Sequence, residues 1–256
     1  MISFKTLLFL SSTGFLGGFV DSIAGGGGLI TVPALLMAGI PPHITLGTNK
    51  LAATCGSFNA ARIFIQKKIF NPILWQTGLI ACGLGGVVGV LLNQIISAKF
   101  LLEFLPILII FVIIYISFFA PKLNNEGFLN NNFKPPQKSS LFMGGLLGFY
   151  DGFLGPGTGS FWTTLAMSIY KIDMLSASGV ARVMNFMSNL SALIVFMGLH
   201  DINYSVGAVM GAGLFIGAQL GSRCAIYFGA KFIRPLFLIV VSILVLKLIL
   251  QNLHII

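Results

Sequence analysis

The sequence predicts an all-α, polytopic integral membrane protein. It reads as two homologous repeats, inverted relative to each other, with about eight transmembrane segments and glycine-broken or re-entrant helices. Three observations carry this. Of 256 residues, 56% are hydrophobic and only 8% charged, where a soluble domain carries about a quarter. Mean hydropathy is +0.97. The apolar runs approach the ~20 residues that a spanning helix needs, and they lack the ten-residue alternation of barrel strands. Finally, one pattern occurs twice. Gly14, Leu16, Gly18, Phe19, Asp21, Gly25 and Gly27 return as Gly144, Leu146, Gly148, Phe149, Asp151, Gly155 and Gly157, each 130 positions later.

The elements follow in order. Residues 6–24 make a helix-length apolar run that ends in Gly25–Gly28. The internal copy at 140–159 argues against reading the first 24 residues as a cleaved signal peptide. Leu29 to Gly39 is apolar but only 11 residues long, which suits a re-entrant half-helix. Pro41 and Pro42 should end it. Residues 44–66 form the next segment, closed by Lys67-Lys68. Residues 72–98 carry no charge before Lys99 and contain Gly85-xxx-Gly89, a pattern that lets helix backbones approach closely. Residues 104–121 span again.

Residues 122–138 are polar, with an asparagine run and Pro135-Pro136, and read as the linker between a first repeat, 1–121, and a second, 139–256. At an offset of 132, Gly47…Lys50…Phe64 matches Gly179…Arg182…Phe196, and Gly85 and Gly89 match Gly217 and Gly221. Such repeats are the usual build of secondary transporters.

Charge decides between parallel and inverted repeats. The segment end at 62–68 carries +3, and its counterpart at 198–204 carries −1. If each glycine hairpin makes no net crossing, one side of the membrane collects +8 and the other +2; a parallel arrangement divides the same groups +6 to +4. Basic loops stay inside, so inversion is favoured, with both termini outside. The net charge of +9 is thereby explained by membrane topology, and nucleic acid is not an expected partner. Cys55, Cys82 and Cys224 are isolated in apolar segments and read as packing residues.

The candidate site residues cluster in the repeated motif. Asp21 and Asp151 are carboxylates inside apolar runs, which is costly unless they face a cavity or a partner. They are the proton-coupling candidates; the competing reading is a helix-end cap. Gly25, Gly26, Gly27 and Gly28, with Gly155, Gly157, Thr158 and Gly159, would let a ligand touch the backbone. The short segments that begin after them would present helix N-termini to an anion. No Gly-Lys-Ser/Thr follows, so nucleotide binding is not expected.

Lys50 and Arg182 are repeat partners, one cation per half. Each either contributes to a substrate site or snorkels to the headgroups. Asn49, Asn185 and Asn189 offer neutral hydrogen bonds, the last two one helical turn apart. Arg223 reads as an interfacial anchor, and His43, His200 and His254 as surface residues. There is no nucleophile elbow, no zinc-protease motif and no histidine cluster, so no enzyme, cofactor or metal is expected.

The string at 18–33, Gly-Phe-Val-Asp-Ser-Ile-Ala-Gly-Gly-Gly-Gly-Leu-Ile-Thr-Val-Pro, followed by Gly47-Thr48-Asn49-Lys50, resembles the TauE/SafE sulfite-exporter family, the TSUP permeases. The second-half string from Gly148 to Ser160, with Arg182 to Asn189, is similar to that family's second repeat. The resemblance implies a multi-pass permease of the bacterial inner (cell) membrane. Its substrates would be sulfur-containing or related organic anions such as sulfite or sulfonates. The expected function is therefore secondary transport of a small anion. A passive anion channel and a carrier of a non-sulfur organic anion are the alternatives. Membrane lipids, protons as coupling ion and a second copy of the chain in a homo-oligomer are the other candidate partners.

Overall fold

The computed structural model describes residues 4–101, 103, 104, 107, 111 and 133–229. Most of the segment expected at 104–121 lies outside these residues, as do residues 122–132 of the linker and His254. Every regular element among the described residues is helical: α1 (Phe4–Ala24), α2 (Gly28–Met37), α3 (Pro42–Gln66), a 3-10 turn (Pro72–Trp75), α4 (Gln76–Ile95), α5 (Gln137–Phe153), α6 (Thr158–Tyr170), α7 (Met174–Gly198) and α8 (Tyr204–Phe228).

Among the described residues, four helices are long and apolar enough to cross a membrane: α1, the 3-10 turn with α4, α7 and α8. Helix α3 has 25 residues, roughly 37 Å at 1.5 Å per residue, but it carries Asn49, Lys50, Ser57 and Asn59 buried inside the protein. Helices α2 and α6 have 10 and 13 residues, about 15 and 20 Å, too short for a core ~30 Å thick.

The boundaries have local causes. Pro42 opens α3 at a position where its missing N–H costs nothing, rather than merely closing the segment before it. Asn71 caps the 3-10 turn by accepting from Ile73 N, which splits the run expected at 72–98, and the chain turns extended at Ile96. Helix α5 begins at Gln137, inside the stretch read as linker. Asp173 caps α7, accepting from Leu175 N at 2.9 Å and Ser176 N at 3.1 Å.

Glycine sets which helices touch. A Cβ on Gly18 of α1 would lie 2.2 Å from Leu214 O of α8, and one on Gly148 of α5 would lie 2.2 Å from Cys82 O of α4. Gly14 likewise meets Met210, and Gly144 meets Gly78. Both pairs therefore pack backbone against backbone, as small residues allow. Each runs parallel, because Gly14 and Gly18 meet Met210 and Leu214 in the same order. The chain thus leaves α4 at one end of the molecule and begins α5 at the other.

The remaining directions follow from pairs of neighbours. Helix α3 runs with α8, since Gly207 sits on Leu51 and Gly211 on Cys55. It runs against α7: Lys50 meets Asn189, Phe58 meets Phe186, and Phe64 lies beside Gly179. Helix α7 runs with α4, where Gly78 meets Met184 and Gly86 meets Ser188. Helices α1, α3 and α8 therefore point one way, and α4, α5 and α7 the other. Helices α1, α3 and α4 thus run opposite to α5, α7 and α8 respectively.

An aromatic core formed by Phe64, Phe70, Trp75, Trp162 and Tyr170 closes one end. The Trp75 and Tyr170 rings meet edge to face at 5.1 Å. Arg223 and His200 are exposed. His43, expected at the surface, is half-buried instead, its Nδ1 3.3 Å from Asn93 Oδ1. Cys82 is buried and packs, while Cys55 and Cys224 are partly exposed.

Candidate anion site between the glycine loops

Each glycine run breaks the chain between a long helix and a short one. Gly25 and Gly26 adopt φ +75° and +124°, and Gly155 and Gly157 adopt φ +95° and +84°, conformations that only glycine takes easily. Gly27, read from sequence as part of the turn, has an ordinary right-handed backbone (φ −52°) and caps α2. The two loops touch. A Cβ on Gly25 would lie 2.3 Å from Gly159 C and Ser160 N, and the Ser160 hydroxyl donates to Gly25 O at 2.5 Å. The N-termini of α2 and α6 thus meet where the halves face each other.

Asp21, one turn before the first break, folds back over it. Its Oδ1 accepts from Gly26 N at 3.0 Å and Gly27 N at 2.9 Å. Its Oδ2 lies 3.4 Å from Arg182 Nη1. The capping role and the charge-pairing role are both present. The loop amides of the first half are consequently occupied by the chain's own carboxylate.

Asp151 is bonded differently. Its Oδ1 accepts from Lys50 Nζ at 2.9 Å and from Thr158 Oγ1 at 3.0 Å; its Oδ2 accepts from Ser188 Oγ at 2.5 Å. Lys50 Nζ also donates to Asn189 Oδ1 at 3.1 Å. Asn49 Oδ1 accepts from Thr31 Oγ1 at 2.6 Å.

Lys50 is 1% exposed and Arg182 0%. Both side chains are enclosed by protein, so neither snorkels. Each cation pairs with the acid of the other half, Lys50 with Asp151 and Arg182 with Asp21. Lys50, Asp151 and Arg182 are buried and Asp21 is partly exposed, and the four charges sum to zero. Removing one member of such a pair costs about 3–5 kcal/mol, because its partner is left buried and uncompensated. Arg182 is incompletely satisfied even so. Its Nε donates to Ser178 O at 3.3 Å, yet Nη1 and Nη2 make no hydrogen bond, and neither does the nearby Asn185 Oδ1.

A cavity of about 20 Å³ lies between the loops. That is room for one water. All the predicted site residues except Gly25, Lys50 and Arg182 line it, and Thr31, Ala53 and Leu214 complete the wall. Gly25, Lys50 and Arg182 stand behind the wall. Sequence reasoning missed Thr31 and Ser188. Ser188 lies three residues after Asn185 on the same helix face, which was the available signal. Among the described residues, no three His, Cys, Asp or Glu side chains converge as a metal site requires.

Comparisons with known proteins identify the family. The family model described as "Sulfite exporter TauE/SafE" matches residues 10–248. The chain is 39% identical over 253 residues to "Probable membrane transporter protein ORF9" of Sinorhizobium sp, covering 99% of this chain and 96% of that one. It is 39% identical over 254 residues to a "Probable membrane transporter protein" of Haemophilus influenzae, covering 97% and 96%. It is 38% identical over 248 residues to "Probable membrane transporter protein YfcA" of Escherichia coli K12, covering 97% and 91%. No solved structure matches the chain significantly. With its family match spanning nearly the whole chain and several apolar helices of membrane-crossing length, this multi-pass membrane protein belongs to the TauE/SafE sulfite exporter family of transporters.

Proposed function

We propose that the chain is a secondary permease for a small anion, with sulfur-containing anions as the substrate class. The observation that carries this is the pair of wholly buried cations, one from each half, set beside two glycine loops and two short-helix N-termini. Arg182 Nη2, which makes no hydrogen bond, supplies donors for an oxyanion. The family's name supports the sulfur-containing class. A cavity of only about 20 Å³ favours a carrier over an open channel. An oxyanion is larger than one water, so binding requires the loops to part.

In this reading residues 1–121 and 139–256 are inverted repeats joined at 122–138, and α2 and α6 are re-entrant. Opposed directions of equivalent helices support it, as do the matched contacts Gly18–Leu214 and Gly148–Cys82. The basic ends of α3 and α8 then lie inside and both termini outside.

The test is uptake of labelled sulfite, thiosulfate and methanesulfonate by proteoliposomes holding the purified protein. Saturable uptake of at least one is expected. Uptake of carboxylates alone would move the substrate outside the sulfur class. Unsaturable conductance in planar bilayers would make the protein a channel.

A further inference from the structure

We propose that each anion travels with one proton carried on Asp151, while Asp21 stays ionised and holds its loop in place. This rests on the anion-permease reading above. Lys50, Arg182, Asp21 and Asp151 together are neutral. A bare anion closed in beside them would leave one buried negative charge uncompensated; an anion with one proton leaves none.

The hydrogen bonds distinguish the two acids. Asp21 Oδ1 accepts from two backbone amides, and Oδ2 faces the Arg182 guanidinium. Amides and guanidinium only donate. A protonated Asp21 would point its O–H at groups that cannot accept it, even though its side chain is 15% exposed and the easier of the two to reach.

Asp151 faces hydroxyls, which donate or accept. The Ser188 hydroxyl, bonded to Asp151 Oδ2, has two other acceptors at 3.2 Å, Met184 O and Asn185 O. Thr158 has Gly155 O at 2.7 Å. When a proton from the aqueous side binds Oδ2, the Ser188 O–H rotates to Met184 O or Asn185 O. Its oxygen then accepts from the new carboxyl. Only a hydroxyl has to turn. Lys50 keeps all its protons, loses its charged partner, and retains Asn189 Oδ1. Its ammonium is then available to the anion's oxygens. Loss of the proton on the far side restores the Lys50–Asp151 bond and expels the anion.

The other groups facing Asp151 do not compete for this proton. Cys82, on α4, donates its S–H to Met184 O at 3.3 Å, and a carbonyl has a second lone pair for Ser188. Tyr150, beside Asp151 on α5, donates to Pro156 O at 2.6 Å. On α7, Arg182 is held by Asp21.

Two measurements test this separately from the permease reading. In the first, infrared difference spectra of the reconstituted, substrate-free protein are recorded as pH falls. A protonated-carboxyl band is expected that persists in Asp21→Asn and disappears in Asp151→Asn. It should also disappear in the double variant Lys50→Gln with Asp151→Asn, which leaves no orphaned charge and guards against misfolding. A band lost with Asp21→Asn and kept in both Asp151→Asn proteins overturns the assignment.

The second measurement follows accumulation of methanesulfonate, an anion that does not itself titrate. A gradient of about one pH unit should concentrate it about tenfold in wild-type vesicles, with one proton per anion by an internal pH dye and no response to membrane potential. Asp151→Asn should not accumulate it above equality. Accumulation driven by potential instead, or retained in Asp151→Asn, overturns the coupling. If wild-type vesicles take up none of the anions, the permease reading fails, and the infrared result still decides which acid binds the proton.

Discussion

Replacing Gly25 by alanine should open the site, and Gly39 provides the control. Both glycines have left-handed backbones, φ +75° and +79°. An alanine in that conformation costs about 1–2 kcal/mol. The surroundings differ. Around Gly39 a Cβ would meet nothing within 4 Å, whereas at Gly25 it would lie 2.3 Å from the backbone of Gly159 and Ser160. Carbon atoms settle about 3.5–4.0 Å apart, so the two loops must separate by about 1 Å. Overpacking of this kind adds about 1–3 kcal/mol. Gly39→Ala should therefore cost about 1–2 kcal/mol, and Gly25→Ala about 2–5 kcal/mol. Denaturant titration of both purified variants in detergent measures the difference, and uptake at matched protein levels measures the functional effect. Transport should survive Gly39→Ala and fall in Gly25→Ala. Equal stability and equal transport in the two variants would refute the contact between the loops.

Four further outcomes are expected. Gly18→Ala and Gly148→Ala, each placing a Cβ 2.2 Å from a carbonyl oxygen, should destabilise by about 1–3 kcal/mol apiece. Gly145→Ala, with open space around it, should be neutral or stabilising by up to about 1 kcal/mol in the same titration. Single cysteines at Lys67 and Asp201, in a background lacking Cys55, Cys82 and Cys224, should react with an impermeant thiol reagent from opposite sides of the membrane; reaction from one side would sink the inverted arrangement. Asp173→Ala removes two backbone hydrogen bonds and one from Ser176 Oγ at the start of α7 and should lower stability by about 0.5–2 kcal/mol, leaving the concentration dependence of uptake unchanged.

Much of this was legible in the sequence because it is local. An aspartate followed four or so residues later by glycines fixes a helix end and a break, and positive φ falls at Gly25, Gly26, Gly155 and Gly157 within the runs that predicted it. The 3.6-residue period places Asn185 and Asn189 on one face, and both line the cavity. The rest depended on which helices meet. Spacing could not say that Lys50 pairs with Asp151 and Arg182 with Asp21, since both bonds cross between the halves. Nor could it choose between a snorkelling and an enclosed cation, because that depends on neighbours more than 100 positions away, as for Lys50 and Asp151. Helix α3 is not among the apolar spans for the same reason: its polar residues are paid for by partners on α2, α5 and α7. Four successive glycines look alike in sequence, so spacing could not say that only the first two, Gly25 and Gly26, take positive φ.

Whether the buried cations hold the transported anion is decided at Arg182. Its Nη1 faces Asp21 Oδ2 at 3.4 Å and its Nη2 makes no hydrogen bond, so the guanidinium has an open donor for an oxyanion. A hydrogen bond to a charged group contributes about 1.5–3 kcal/mol. Equilibrium binding of whichever anion the vesicles transport should therefore weaken at least about tenfold in Arg182→Gln. Arg182→Lys, which keeps the charge but loses the planar fork, should restore only part of the affinity. An unchanged dissociation constant in Arg182→Gln, with the protein folded and the anion still transported by the wild type, would show that Arg182 does not hold the anion.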